Sequence, residues 1–340
     1  MKKFLFITIT LSFISLQAVA QQSTDEARTG SIYSKIGVGI PVDYTSSSAD
    51  GMGALGVSFN ESNVAGLANP AEWGSTVYSV ASGGFSLQRF NGTDYAGSSK
   101  SATFSANHFQ LQLPIQKSKF GISAAVTPLT RSSYKIYNQD TRIFGSGALS
   151  DTLGASVESL GSGGISSIEL GFGWRINNNI SVGYAGSLVL ASLENKITTI
   201  FDDLDYQTVE YTLQTSGTGF GSRFGTLITL PNLLKQQDYL RIGASVNLPV
   251  TLNAERIQES DKQLGGNAVE TIETTEGPGL GDGTIRLPVE INGGITYQLN
   301  PALSFTTEGL YEQWSDYTND FDAGLQDPAS LPIVIKQHLE

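Results

Sequence analysis

Two stretches of this chain alternate between apolar and polar residues for longer than a globular strand usually does. At 240–252 the even positions are apolar and the odd positions are mostly polar, and at 285–299 the odd positions are the apolar ones. A period of two places each set on one face of an extended strand. Long strands with one apolar face are typical of an all-β, antiparallel barrel that crosses a lipid bilayer.

The N-terminus predicts export from the cytoplasm. Two lysines precede an apolar run over residues 4–16, and a small-residue cleavage site ends at Ala20. This is the pattern of a secretory signal peptide, here at 1–20, and the run is shorter than the roughly 20 residues that a spanning helix needs. An exported chain of alternating strands is expected in the outer membrane of a Gram-negative bacterium, as a multi-pass barrel.

Composition excludes several other classes of protein. The formal net charge is −12, which argues against nucleic acid as a partner. The chain has no cysteine, so a disulfide framework and a thiolate metal site are excluded. It shows no phosphate loop, GxSxG motif or metal-ligand spacing, so we expect no enzyme activity, no cofactor and no metal.

The remaining sequence divides into strand-length segments separated by turns. Nine complete strands are predicted, at residues 76–90, 101–115, 120–134, 165–176, 180–193, 207–230, 239–253, 284–299 and 303–318. Outer-membrane barrels place short turns in the periplasm and long loops outside. The long stretches are therefore predicted to be outer loops, at residues 91–100, 135–164, 194–206, 254–283 and 319–330.

The two ends of the chain are set apart from these nine strands. Residues 21–74 lack long alternation and are predicted to form an N-terminal segment outside the barrel wall at 75–340. A tenth strand is predicted to begin near Ile333, shortly before the sequence stops at Glu340. Because a closed barrel leaves no strand half made, we expect the natural protein to continue past this point.

Alternation also assigns faces in the weaker strands. The odd positions from Phe109 to Ile115 and the even positions from Ile168 to Trp174 are apolar and are predicted to face lipid. The charged residues between such sets are then predicted to face the lumen, and they are Glu169, Arg175, Arg241, Arg286 and Glu290. A structural network of paired charges is favoured for them over a specific solute site.

Four short motifs follow the signal peptide in a fixed order. They are residues 49–53 with Asn69, Pro70 and Ala71; residues 127–129 before Tyr134; the Gly217, Gly219, Gly221 spacing within 215–225; and residues 287–288 through 314–315. In this order they resemble the FadL family of outer-membrane transporters for hydrophobic compounds, over most of the mature chain.

The resemblance implies both an architecture and a function. The architecture is a FadL-like barrel of about fourteen strands, truncated here, with residues 21–74 folded inside as a periplasmic hatch. The function is passive uptake of long-chain fatty acids or aromatic hydrocarbons, with lateral release into the membrane. An apolar solute gains about 25 cal/mol per Å² by staying out of water, so a lateral route avoids the aqueous lumen.

Two groups of residues are candidate sites under this resemblance. Asn69, Pro70 and Ala71 are predicted to form a gating turn of the hatch, although Asn-Pro also begins simple turns. Pro128 is predicted to kink the third strand at the lateral gap, because proline within a sheet belongs at an edge or a bulge, the alternative being an ordinary proline at a strand end. The candidate ligand-binding residues are Leu55, Val57, Phe59, Val64 and Leu67, although residues of this kind more often only pack a hatch against the wall.

The expected partners follow from the same resemblance. They are a hydrophobic small-molecule substrate, outer-membrane lipid and lipopolysaccharide, and the protein is expected to be a monomer. The acidic stretch at 254–283 could bridge lipopolysaccharide through divalent ions, but its spacing fits no EF-hand and a solvated loop is favoured. A surface-protein anchor or secretion shuttle is the alternative function, and haem uptake is a weaker one, because only His108 and His338 are available as ligands.

Overall fold

A computed structural model describes residues 30–42, 45–46, 49, 51–59, 66–93, 98–144, 151–202, 208–263, 269–300 and 303–321. These residues form antiparallel strands and three short 3-10 helices, Ile32–Lys35, Pro70–Ser75 and Trp314–Asp316. The strands are β1 (Ile40–Pro41), β2 (Val80–Thr93), β3 (Ser98–Gln116), β4 (Phe120–Arg131), β5 (Tyr134–Phe144), β6 (Asp151–Arg175), β7 (Ile180–Phe201), β8 (Val209–Pro231), β9 (Tyr239–Asn247), β10 (Val250–Gln263), β11 (Val269–Thr274), β12 (Gly281–Leu287), β13 (Glu290–Asn300), β14 (Leu303–Glu312) and β15 (Thr318–Asn319). No helix among the described residues has the length and apolar character needed to cross a bilayer.

Nine of these strands form one continuous antiparallel path. Their order is β14, β13, β9, β8, β7, β6, β4, β3, β2, and the sheet curls into a half-barrel. β5 continues β4, because both pair with β6. β10 continues β9, because both pair with β8. β12 and β13 form one line in the same way, because they pair with β10 and β9 respectively. The predicted all-β antiparallel sheet is confirmed. Across the described residues the sheet does not close into a barrel, and the FadL-like details are not confirmed.

Three of the predicted outer loops are wrong, because much of each is strand. Residues 135–144 and 151–164 pair with one another, β7 runs on to Phe201, and β10 pairs with β11. Charged residues in two of these stretches pair between neighbouring strands. Lys135 lies 2.8 Å from Glu158, and Lys196 lies 2.7 Å from Glu210. Cross-strand pairs of opposite charge stabilise a sheet, so charge alone did not mark a loop here.

The two faces of the sheet differ as the alternation of the weaker strands predicts. We call the face that carries Leu170 the outer face and the face that carries Glu169 the inner face; these side chains are 66% and 9% exposed. Stacked or tilted rings cross four strands of the outer face, with neighbouring centroids 5.8, 6.2 and 5.1 Å apart, at Phe120, Phe172, Tyr184 and Phe224. The outer face is therefore apolar where the inner face is polar.

The apolar face changes sides at two opposed prolines. Asn247 pairs with Glu290 and Val250 pairs with Leu287 in the same register, which places Pro249 opposite Pro288. Proline has no N–H to donate to the ladder, so pairing is interrupted there. A change of phase by one residue then exchanges the two faces of each strand.

The alternating apolar residues of each strand therefore face outward before the prolines and inward beyond them. Leu252 and Ile285 are fully buried beyond the prolines, whereas Ile242 and Ile291 are 38% and 42% exposed on the outer face before them. The prediction that each set faces one way along its whole length is therefore wrong. Arg286 is also wrong as a lumen residue, because it lies on the exposed side of β12.

An apolar core fills the inner side of the half-barrel beyond the prolines. It joins strands β6, β7, β10 and β12 to single residues from the two ends of the described chain. Its members are Val38, Ile165, Val189, Ala191, Leu193, Val250, Leu252, Ala254, Ile285, Leu287 and Phe321.

Candidate functional site

The described part of the N-terminal segment lies against the inner face of the sheet. We call residues 54–59 and 66–75 the strap. Its helix, Pro70–Ser75, is capped by Asn69, whose side-chain oxygen accepts the amide of Ala71 at 3.0 Å. Proline at the first helical position has no N–H that would need a partner. The Asn-Pro-Ala motif that predicts a turn therefore begins a short helix.

Two buried side chains hold the strap to itself and to the sheet. The Asn69 amide donates to the carbonyl of Val57 at 3.0 Å and to the carbonyl of Thr226 on β8 at 2.9 Å. Trp73 is fully buried, and its indole N–H donates to the carbonyl of Gly66 at 2.7 Å. The helix is therefore held at its N-cap and through the indole of Trp73.

A row of glycines on the inner face makes room for the strap. Gly121, Gly173, Gly183 and Gly225 are register partners across β4, β6, β7 and β8. A Cβ at any of them would lie less than 3.0 Å from an atom of the strap helix or its cap. Only glycine lets the two backbones approach this closely.

The other end of the strap is held by one carboxylate on β14. Glu308 accepts the amides of Gly56 and Ser58, each at 2.7 Å, and the Ser58 hydroxyl at 2.8 Å. Hydrogen bonds to an ionised acceptor are about twice as strong as neutral ones. The strap therefore ties β14, at one end of the strand path, to β4 near the other.

A buried ion pair lies beside the strap. Arg223 on β8 donates to Glu169 on β6, and each residue is 9% exposed. The same guanidinium donates to the carbonyl of Leu67 at 2.7 Å and lies 5.8 Å from the Trp73 ring. Further hydrogen bonds help a buried pair to be tolerated, and the strap supplies one here through the Leu67 carbonyl, while the Nε of Arg223 has no partner among the described residues.

An internal cavity of about 140 Å³ lies between the strap and the sheet. Leu55 and Leu67 line it from the strap, and Val189, Glu290 and Arg223 are among the residues that line it from the sheet. The volume is below the roughly 300–1,000 Å³ of a typical small-molecule pocket.

One buried carboxyl of the strap has no partner among the described residues. Glu72 is 1% exposed, and neither of its oxygens accepts a hydrogen bond in this part of the chain. Burial raises the pKa of Glu72 well above its usual value; the charge of Arg241 opposes this rise and that of Glu308 adds to it. A carboxyl that is costly to ionise is the expected result of such burial.

The structure brings some of the predicted site residues together. Val57 is hydrogen-bonded to Asn69, Leu55 and Leu67 share the cavity, and Phe59 is half-buried in the strap. Val64 lies outside the described residues. Whether any of them gates a lumen or binds a ligand stays a prediction.

Pro128 lies apart from that group. The register of β4 against β6 shifts between Pro128 and Thr130, which places the proline at an irregularity of the ladder. β1 pairs with β4 just beyond it, at Thr130 and Arg131, where the pairing of β4 with β3 has ended at Val126. Proline at such a position agrees with its missing N–H.

Sequence reasoning missed the residues that hold the strap. Trp73, Glu308, Arg223 and the glycine row were not selected. The glycines carry the one signal that could have been used, because they recur at inward positions of successive strands and leave no side chain to fill the interior. The Glu308 contact joins residues about 250 positions apart, which no local pattern reports.

Other catalytic or metal groups are not assembled in the described residues. Within the ranges given above, no three His, Asp or Glu side chains are arranged to hold a metal ion. His108 shares a hydrogen bond of 3.0 Å with Ser82 on the neighbouring strand. That contact fastens β2 to β3.

The model of a family described as BamG matches residues 1–329. No curated protein and no solved structure matches the chain.

This family differs from the FadL-type transporters, so the resemblance to them is wrong for this chain. The predicted uptake of hydrophobic molecules is wrong with it, as are the alternatives of a surface anchor, a secretion shuttle and haem uptake. The expected hydrophobic substrate is overturned by the same match, and the expected monomeric state has no support from it. Association with the outer membrane agrees with the family.

Proposed function

Since the chain belongs to the BamG family, we propose that it works in the assembly of outer-membrane proteins, as a component bound to the BAM complex. The match over residues 1–329 is the observation that carries this proposal. The proposed partner is therefore a protein assembly and not a hydrophobic solute.

We also propose that the sheet spans the outer membrane with its outer face in lipid. The outward positions of β7 read Ile180, Val182, Tyr184, Gly186, Leu188 and Leu190, and then Ser192, Glu194 and Lys196. The apolar part covers ten residue steps, or about 33 Å along the strand. At a tilt of about 40° this gives a height of about 25 Å, which is the apolar band of outer-membrane barrels.

The filled interior supports a structural role over the passage of a solute. The strap occupies the inner face at one level, and the apolar core occupies it at the next. The cavity between them is about 140 Å³. An inner face that is covered at two successive levels by the strap and the apolar core suits a scaffold.

The strands that extend past the apolar band offer a surface for protein partners. β7 continues for about eleven residues beyond Leu190, or roughly 36 Å along the strand, and is paired on both sides. In this region Lys135 on β5 pairs with Glu158 on β6, and Lys196 on β7 pairs with Glu210 on β8. A polar, hydrogen-bonded wall outside the lipid is suited to contact other subunits. The proposal gives this chain no catalytic role.

The experiment is affinity purification of the tagged full-length protein from membranes in mild detergent. We expect BAM subunits to be enriched at least tenfold over a purification through an unrelated tagged outer-membrane barrel. Depletion of the protein is expected to lower the amounts of other outer-membrane barrels, and expression of the wild-type chain is expected to restore them. Absence of BAM subunits, with unchanged barrel amounts on depletion, would refute the proposal.

A further inference from the structure

The connection between β8 and β9 is longer than its neighbours and carries two exposed leucines. We call residues 232–238 the β8–β9 turn; residues 117–119 join β3 to β4, and residues 176–179 join β6 to β7. Leu233 and Leu234 are 48% and 74% exposed, and Leu234 is the most exposed of the large apolar side chains that the structure describes. Three residues close a hairpin of this sheet, so the extra length of the β8–β9 turn is not needed to reverse the chain.

A buried carboxylate fixes the shape of this turn. Asp238 is 1% exposed, and its oxygens accept the amides of Leu233, Leu234 and Lys235 at 2.7, 2.8 and 2.9 Å. One of them also accepts, at 2.7 Å, the hydroxyl of Tyr297, which alternation places on the outer face of β13. The β8–β9 turn is therefore folded toward the outer face of the sheet.

The backbone of the turn is strained at one residue. The φ angle of Gln237 is +76°, in the left-handed region that favours glycine, and its amide donates to the side chain of Asn232 at 3.0 Å. Strained residues persist where the surrounding structure holds them, and they cluster at functional sites. The turn thus keeps a strained shape that presents its two leucines in one arrangement.

Basic residues dominate the turns at this end of the sheet. The three short turns carry Lys117, Lys119 and Lys235, and Arg175 ends β6 with its amide bonded to the Lys119 carbonyl at 2.8 Å. Asp238 is the one acidic residue in the three turns, and the β8–β9 turn encloses its carboxylate. This end is therefore positive in a chain whose formal net charge is −12. An anionic surface is the complementary partner.

The height of the turn matches the headgroup layer of a bilayer. Leu230 and Leu240 are register partners and form the last outward apolar pair before the turn. Two residue steps further on, the amide of Asn232 donates to the carbonyl of Asp238 at 2.8 Å. Two steps are about 7 Å along the strand, or about 5 Å in height at a tilt of about 40°. The headgroup layer beside the hydrocarbon core is about 5–7 Å thick, so the turn lies within it in the membrane setting proposed above.

We propose that the β8–β9 turn anchors the sheet to the periplasmic leaflet by binding anionic phospholipid, an inference that rests on that proposed membrane setting. Outer-membrane barrels place their short turns on the periplasmic side. Leu233 and Leu234 contact the first carbons of the acyl chains, and Lys235 contacts the lipid phosphate. Lysine suits this position, because its stem is apolar and its ammonium group reaches the headgroups. Four hydrogen bonds enclose the carboxylate of Asp238, which weakens its repulsion of the phosphate.

A fluorescent label on the turn tests this site, because the chain has no cysteine of its own. The Leu234→Cys variant of the full-length protein is labelled with bimane and reconstituted in equimolar vesicles of phosphatidylcholine and phosphatidylglycerol, with bromine on the acyl chains of one lipid or the other. We expect quenching to show about fivefold selection of phosphatidylglycerol, the effect of one basic residue near an anionic surface. Lys235→Gln should bring this ratio close to one. Lys100→Gln, at an exposed lysine near the opposite end of β3, should leave it unchanged.

A second label separates this inference from the proposed membrane setting. A bimane on the Ile291→Cys variant, at a side chain that is 42% exposed on the outer face, should be quenched equally by both brominated lipids. If neither position is quenched, the membrane setting is wrong and the lipid site with it. Quenching at Ile291→Cys with none at Leu234→Cys would overturn the lipid site alone. Equal quenching of Leu234→Cys by both lipids would overturn the binding of anionic lipid.

Discussion

The close contact between the strap and the glycine row can be tested by adding one methyl group to a glycine of that row. A Cβ on Gly183 would lie less than 3.0 Å from the backbone carbonyl carbon of Pro70 and the backbone nitrogen of Ala71. Both are main-chain atoms, so neither can rotate away as a flexible side chain would. The Gly183→Ala change therefore has to push the strap from the sheet or distort β7.

Two opposing terms set the size of the effect. Alanine in place of glycine favours a strand by about 0.5–1 kcal/mol, because the unfolded chain loses conformational freedom. Overpacking of a close interface costs about 1–3 kcal/mol. Because the clash is with backbone, we take the upper half of the overpacking cost and expect Gly183→Ala to lower the free energy of unfolding by about 1–2.5 kcal/mol.

Gly293→Ala is the matched control for this change. Gly293 lies in β13 of the same sheet, and a Cβ there would have no atom within 4 Å. We expect this variant to gain about 0.5 kcal/mol, since only the backbone term applies. Thermal unfolding of the purified protein in detergent, followed by circular dichroism, measures both variants. Limited proteolysis at the strap should increase in Gly183→Ala alone, and equal stability of the two variants would refute the close contact.

Three further predictions concern single side chains. Trp73→Ala should lower the free energy of unfolding by about 3–5 kcal/mol in the same assay, whereas Trp314→Ala, at a side chain that is 38% exposed, should cost less than about 1 kcal/mol; similar losses would contradict the burial. Burial raises the pKa of Glu72 in the folded state, so its stabilising contribution is greatest below the unfolded pKa near about 4.3 and declines as pH rises. The free energy of unfolding of Glu72→Gln, relative to wild type, should therefore increase as pH rises from 5 to 8. A difference between the two proteins that does not change with pH would count against this reasoning. Burial acts to raise the pKa of Asp238, but the Tyr297 hydroxyl and three backbone amides outweigh it and hold that pKa below its usual value. Asp238→Asn should lower the melting temperature at pH 7, and the gap to wild type should narrow as pH falls below about 4, where the wild-type carboxyl is protonated; a gap that widens there would be the wrong sign.

Regular alternation made most of the wall predictable. Where one face of a strand is apolar and the other is polar, as at Ile168 to Trp174, the alternation predicted the face of each residue correctly. The strands β5 and β11 were not predicted because polar, charged and apolar residues are mixed along both of their faces. A period of two then has no contrast to show, and only the paired register reveals the strand.

The exchange of faces at the prolines and the position of the strap could not be predicted from local sequence. Pro249 and Pro288 were visible in the sequence, but nothing within either strand says that the two prolines face each other. The strap is held by Glu308, the glycine row and Thr226, which come from distant parts of the chain. The FadL resemblance failed for a related reason, because short motifs such as Asn-Pro-Ala describe a helix cap that many folds can use.

The paired prolines make the apolar outer face uneven in height. On β7 the apolar outer positions run from Ile180 to Leu190, whereas on β9 they stop at Leu248, and the next outward residues are the exposed Thr251 and Asn253. Eight residue steps from Leu240 give about 26 Å along the strand and about 20 Å at the same tilt. In the membrane setting proposed above, the bilayer that meets β9 and β13 is therefore about 5 Å thinner than the bilayer that meets β7, since lipid adjusts its thickness to the apolar surface beside it.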